Sequence, residues 1–146
     1  MKKEIITNNA EDTQKLGEDI SKAALKNRTH EGALVFALYG NLGGGKTTFL
    51  QGFAKGLGIK EKILSPTYVI MKRFRLDNQF KNFYHIDCYR IKDVKDIEEL
   101  ELKNIFNNPE NIVAVEWPEK IKNVLPKDCV NLEFEFIDEQ KRKITV

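Results

Sequence analysis

Between the apolar run Ala33-Leu34-Val35-Phe36-Ala37-Leu38-Tyr39 and the helix-like run Thr48-Phe49-Leu50-Gln51-Gly52-Phe53-Ala54-Lys55 stands Gly40-Asn41-Leu42-Gly43-Gly44-Gly45-Lys46-Thr47. The octet fills the pattern G-x-x-x-x-G-K-[ST] in the strand-before, helix-after setting that a phosphate-binding loop requires. Its glycines let successive backbone N–H groups turn inward on polyphosphate oxygens, and the following helix adds the partial positive charge of its N-terminus. Asn41, Gly43, Gly44, Gly45, Lys46, Thr47 and Thr48 are therefore the expected nucleotide contacts. Lys46 is suited to the outer phosphates, and the Thr47 hydroxyl to the shell of a Mg²⁺ ion bridging them.

With 146 residues the chain is long enough for one domain and short for two, so a single domain over 1–146 is expected. Its 24 Lys and Arg against 22 Asp and Glu leave a net charge of +2, so bulk charge marks neither a nucleic-acid coat nor a membrane binder. No apolar stretch nears the roughly 20 residues that cross a bilayer, and Met1-Lys2-Lys3-Glu4 lacks a signal peptide's apolar core, so a cytoplasmic protein is expected. Cys88 and Cys129 are isolated and read as two reduced, packed thiols rather than a disulfide or zinc site.

Asn8-Asn9-Ala10-Glu11 has the look of a capping box, and Leu16, Ile20 and Ala23 or Ala24 recur behind it at helical spacing. This predicts a helix from about Ala10 to Lys26 covering a sheet. The loop's own helix should bury Phe49, Leu50, Phe53, Ala54 and Leu57 and stop at Gly56 or Gly58. Thr67 to Leu76 and Lys81 to His85, flanking Asp77-Asn78-Gln79, read as an antiparallel hairpin. Asp93 can cap a helix running through about Phe106, and Asn111-Ile112-Val113-Ala114-Val115 is a run typical of a doubly covered strand. Val130 to Phe136 alternates cleanly and turns at Asp138-Glu139-Gln140 into Lys143-Ile144-Thr145-Val146. The fold expected is α/β: a P-loop NTPase-type, mainly parallel sheet flanked by helices, with antiparallel edge strands from Thr67 to Ile86 and Val130 to Val146.

Three further motifs follow the loop in order: Ser65-Pro66-Thr67-Tyr68, His85-Ile86-Asp87-Cys88-Tyr89-Arg90 and Val115-Glu116-Trp117-Pro118-Glu119. Together the four closely resemble the TsaE (YjeE) family, over roughly Thr13 to Leu125. The resemblance implies a small bacterial ATPase, dependent on ATP and Mg²⁺, that acts with TsaB and TsaD in making threonylcarbamoyladenosine in tRNA. Such a protein would meet tRNA only indirectly, bind no membrane and be a monomer by itself. The family usually has Asp where this chain has Asn41 and a small non-glycine residue at Gly44. Neither departure changes the loop's amides. The segment Leu102-Lys103-Asn104-Ile105-Phe106 is shorter than its family counterpart.

A carboxylate at the end of a buried strand suits the outer shell of a nucleotide-bound Mg²⁺, and two positions compete for it. Glu116 follows the better core strand, and its family counterpart is a metal-site residue. The resemblance makes Asp87 a second acid needed for hydrolysis, through the ion or by orienting water. With Lys46 these are the expected catalytic residues, and Thr47 and Glu116 the expected metal ligands. Which acid touches the ion directly stays open.

Ser65-Pro66-Thr67 fits a switch loop sensing the terminal phosphate or a plain turn, and the resemblance favours the switch. Trp117 reads as a core anchor or a neighbour of the nucleotide. Arg90 fits charge stabilisation but is better read as a carboxylate's partner. His85 shares the strand face of Asp87 but has no second His or Cys at ligand spacing, so it is read as structural. The family also brings the region of Thr7-Asn8-Asn9 near adenine, although capping already accounts for the asparagines. A small-molecule kinase shares the loop and the metal but needs an arginine-bearing lid, and Arg73, Arg75 and Arg90 are dispersed. A nucleotide-gated binding module, in which hydrolysis is incidental, is the non-enzymatic alternative.

Overall fold

The computed structural model describes residues 2–26, 31–41, 43–63 and 71–146. In chain order the elements are β1 (Glu4–Thr7), α1 (Ala10–Lys26), β2 (Leu34–Tyr39), α2 (Lys46–Gly56), β3 (Met71–Arg75), β4 (Asn82–Asp87), α3 (Val94–Glu99), α4 (Leu102–Phe106), β5 (Asn111–Glu116), a 3-10 helix (Pro118–Ile121), β6 (Val130–Phe136) and β7 (Arg142–Thr145). They fall into two compact units, the first of Met1–Arg28, Tyr39–Ser65 and Asn131–Val146, the second of Thr29–Leu38 and Pro66–Val130.

In the first unit α1 begins where the capping signal places it. Asn9 Oδ1 accepts the Asp12 N–H at 2.8 Å, and Asp12 Oδ2 accepts the Asn8 N–H at 3.1 Å, so the reciprocal acid is Asp12 rather than Glu11. The buried line of α1 bears out Ala24 and corrects the rest of the expectation. It is Thr13, Gly17, Ser21 and Ala24, while Leu16 and Ile20 are only half-buried and Ala23 is exposed. That line of small residues packs on α2, because short side chains let two helix backbones approach. A β-carbon on Gly52 would overlap the carbonyl of Gln14, and one on Gly17 the carbonyl of Phe49. The apolar stripe of α2 is as expected: Phe49, Leu50, Phe53, Ala54 and Leu57 are all buried. Gly58, at φ +88°, ends it, with Ile59 N–H donating to the Ala54 carbonyl and Gly58 N–H to that of Lys55. This is a Schellman motif, and Gly56 lies within the helix instead.

The tail hairpin forms as its alternation requires. β6 and β7 pair antiparallel, Phe134 opposite Ile144, and Asp138 Oδ1 accepts the N–H groups of Gln140 and Lys141 in the turn. Leu132 and Phe134 are buried, whereas Phe136, expected on the same face, is exposed. β7 also pairs antiparallel with β1, a strand the sequence did not announce.

The second unit carries the parallel core. β2 and β4 both run parallel to β5, Val35 opposite Val113 and His85 opposite Ala114. Every residue of β5 is buried, as expected of a strand covered on both faces. β3 pairs antiparallel with β4, so the expected hairpin exists, but its second strand belongs to the parallel core. The part of the hairpin before Met71 lies outside the described residues. On one face Val35, Ile86, Val113 and Val115 pack with Leu102, Ile105, Phe106 and Ile121. Asn111 ties this layer down, its Nδ2 donating to the Ile105 carbonyl at 3.0 Å.

The helix expected from Asp93 to Phe106 is two helices. Glu101 adopts the left-handed conformation, φ 51°, and its carbonyl accepts the N–H of Asn104, starting α4 on a new axis. The break leaves Leu102, Ile105 and Phe106 buried. The α/β class is borne out: a parallel β2, β5, β4 core, antiparallel strands, and helices.

Candidate phosphate loop and acidic strand ends

In the first unit, the loop after β2 is built for an anion. Gly43 and Gly45 hold positive φ of 82° and 96°, conformations costly for side-chain-bearing residues, and a β-carbon at Gly43 would meet nothing within 4 Å. Asn41 accepts through its carbonyl the Gly44 N–H at 3.1 Å, closing the bend. Gly45 is the N-cap of α2 and makes no side-chain cap hydrogen bond, and the first turn of the helix holds no acidic residue. The start of α2 thus carries neither a side-chain cap nor an acid, at the positive end of an 11-residue dipole that favours an anion. Lys46 is buried at 5% exposure, and its Nζ donates to the Gly40 carbonyl at 2.5 Å, folding the ammonium back over the loop. Thr47 and Thr48 follow on the first turn. Leu42 lies outside the described residues. Thr7, at the end of β1, is buried with its hydroxyl 2.7 Å from that of Thr13.

In the second unit the acids sit where two parallel strands end together. Asp87 and Glu116 are register partners on β4 and β5, and His85 lies two residues back on the face they share. Glu116 and His85 are 4% and 1% exposed, and His85 Nε2 stands 2.7 Å from Glu116 Oε2. The two side chains share a buried hydrogen bond whose donor follows from the histidine tautomer. His85 therefore orients the carboxylate, which goes beyond the structural reading made of it. Asp87 is half-buried, and its Oδ1 accepts the Tyr89 N–H at 3.0 Å, turning the chain out of β4.

Immediately after Glu116, Trp117 adopts a left-handed backbone, φ 55°, rare for a bulky residue and a mark of local constraint. Its ring lies 5.1 Å from that of Tyr89 and partly packs on the second unit's core, so anchoring is one of its two expected roles. Arg90 is exposed in the turn after β4. Ser65, Pro66, Thr67, Tyr68 and His30 lie outside the described residues. Neither Cys88 nor Cys129 is in a disulfide. Burial pushes the Cys88 thiol up to about 12, helped by the negative charge of Asp87.

The donor types suit Mg²⁺, a hard ion that takes one or two carboxylates and draws its remaining ligands from phosphate and water. Among the described residues no group of three or more His, Cys, Asp or Glu is placed to hold a metal. The uncapped helix start and the open glycine bend fit a polyphosphate on the same grounds.

A parallel α/β core together with a strand, glycine loop and helix in this order defines the P-loop class of proteins. The sequence profile described as "Threonylcarbamoyl adenosine biosynthesis protein TsaE" matches residues 7–144. A protein of Aquifex aeolicus named tRNA threonylcarbamoyladenosine biosynthesis protein TsaE is 37% identical over 99% of this chain and 95% of its own length. The protein of the same name from Bacillus subtilis is 37% identical over 76% of this chain and 67% of its own. The crystal structure of Bacillus subtilis YdiB superposes with a TM-score of 0.75 at 28% identity, covering 99% of this chain and 84% of that one. The chain belongs to the TsaE family.

Proposed function

We propose that this protein is the Mg²⁺-dependent ATP-binding and ATP-hydrolysing component of the machinery that makes threonylcarbamoyladenosine in tRNA, acting with TsaB and TsaD in the cytoplasm. The observation that supports it most is the uncapped, acid-free start of α2 behind a left-handed glycine bend, an arrangement that attracts a polyphosphate. The loop amides bind the phosphate chain. Lys46 neutralises charge on the outer phosphates, and its buried position keeps it from solvent. Thr47 supplies a hydroxyl and Glu116 a carboxylate to Mg²⁺, which when bound lowers the charge of the transferred group. His85 holds the Glu116 carboxylate in one orientation, as hydrogen-bonded partners behind metal ligands do. Asp87 orients the attacking water or reaches the ion.

Hydrolysis of this kind needs positioning and charge neutralisation more than covalent chemistry, so turnover is slow alone and rises with partners. The test is ATP hydrolysis with and without TsaB and TsaD, in the unmodified protein and in Lys46→Ala and Glu116→Ala. Both variants should lose most of the activity, and full activity in Lys46→Ala would refute the assignment.

A further inference from the structure

The β6–β7 hairpin of the first unit brings one more cation to the phosphate loop. Arg142, the first residue of β7, lies against Gly45: a β-carbon there would stand 3.2 Å from its Cγ and 3.6 Å from both Cδ and Nε. The guanidinium is held from its other edge. Nη1 donates to the carbonyl oxygens of Asp138, at 2.5 Å, and Lys141, at 2.9 Å, and the group lies over the Phe136 ring, 4.7 Å from its centroid. Its Nε–H is buried and has no hydrogen-bond partner among the described residues.

An orphaned, buried donor on a charged group is costly, because desolvation is not offset. Here the orphan is on the Nε edge, which guanidinium groups use with Nη2 to grip a phosphate through two parallel bonds. The other edge is held by two carbonyls and the group lies over an aromatic ring, so it is oriented in advance. We propose that Arg142 is a nucleotide-binding residue whose Nε edge completes its hydrogen bonding on the phosphate chain held in the Gly40–Thr48 loop. This rests on the loop reading above and adds to it a residue outside all four motifs.

The experiment measures binding of inorganic tripolyphosphate and of ATP, each with Mg²⁺, to the unmodified protein, Lys46→Ala, Arg142→Ala and Arg142→Lys, and the melting temperature of each without ligand. Arg142→Ala should weaken both ligands by about 10- to 100-fold, the range of one or two charge-assisted hydrogen bonds. Arg142→Lys keeps the charge but loses the forked edge, so it should recover only part of the loss. If Arg142→Ala fails to fold, Arg142→Lys carries the test. Tripolyphosphate binding as in the unmodified protein, with ATP weakened, would move Arg142 to the sugar or base and overturn the phosphate contact. Unchanged binding of both ligands in a folded Arg142 variant, with Lys46→Ala impaired, overturns the role of Arg142 and leaves the loop reading intact. No tripolyphosphate or ATP binding by the unmodified protein overturns both.

Discussion

Glu116 is a carboxylate sunk at the end of a buried strand, and its tolerability depends on His85. Removing one partner of a buried hydrogen bond leaves the other unsatisfied, at a cost of about 1–3 kcal/mol. His85→Ala should lower stability by that amount in urea unfolding and reduce ATP turnover as well. The two thiols differ in the same physical way. Because burial raises Cys88 to about 12, its folded form favours the neutral thiol, so its contribution to stability is full below the ordinary thiol range and is lost as pH rises towards 12. At pH 8 the half-buried Cys129 should therefore react with iodoacetamide well before Cys88, as mass spectrometry of the native protein would register. Glu116 was legible in the sequence because it closes a continuous apolar run. The task of His85 was not: its partner is 31 residues away, and only the strand register brings them together.

At the level of elements, the α1–α2 contact is the sharpest dependence on residue size. Gly52→Ala places a methyl group on the Gln14 carbonyl, a backbone atom that cannot move aside cheaply, and should destabilise by about 3 kcal/mol in equilibrium unfolding. Gly58→Ala, at the left-handed end of α2, should cost about 1 kcal/mol by the same measurement. The extent of α1 was readable because capping chemistry is local. Its buried face was not, since a periodicity count favours Leu16 and Ile20, whereas the contact is made by Thr13, Gly17 and Ser21. β1 escaped for another reason: Glu4–Thr7 is short, and its partner β7 lies at the far end of the chain. The break between α3 and α4 falls at Glu101, where no glycine signals a left-handed residue.

For the molecule as a whole, nucleotide binding should appear as stability. ATP with Mg²⁺ at about 100 times its dissociation constant stabilises a native state that alone binds it by about 2.7 kcal/mol. For a chain of this size that is a rise of roughly 5–10 °C in melting temperature. Thermal-shift measurements should show it for ATP and lose it in Lys46→Ala. Parallel scans with GTP report base preference. No helix among the described residues is long and apolar enough to cross a membrane. The close seating of Gly17 and Gly52 against main-chain atoms bears on how this protein tolerates change. With no compressible layer of side chains at that seam, a shim one methyl thick on the first helix displaces the helix that opens with Lys46. Lesions there should mimic damage to the nucleotide site, and second-site suppressors should lie across the seam rather than in the loop.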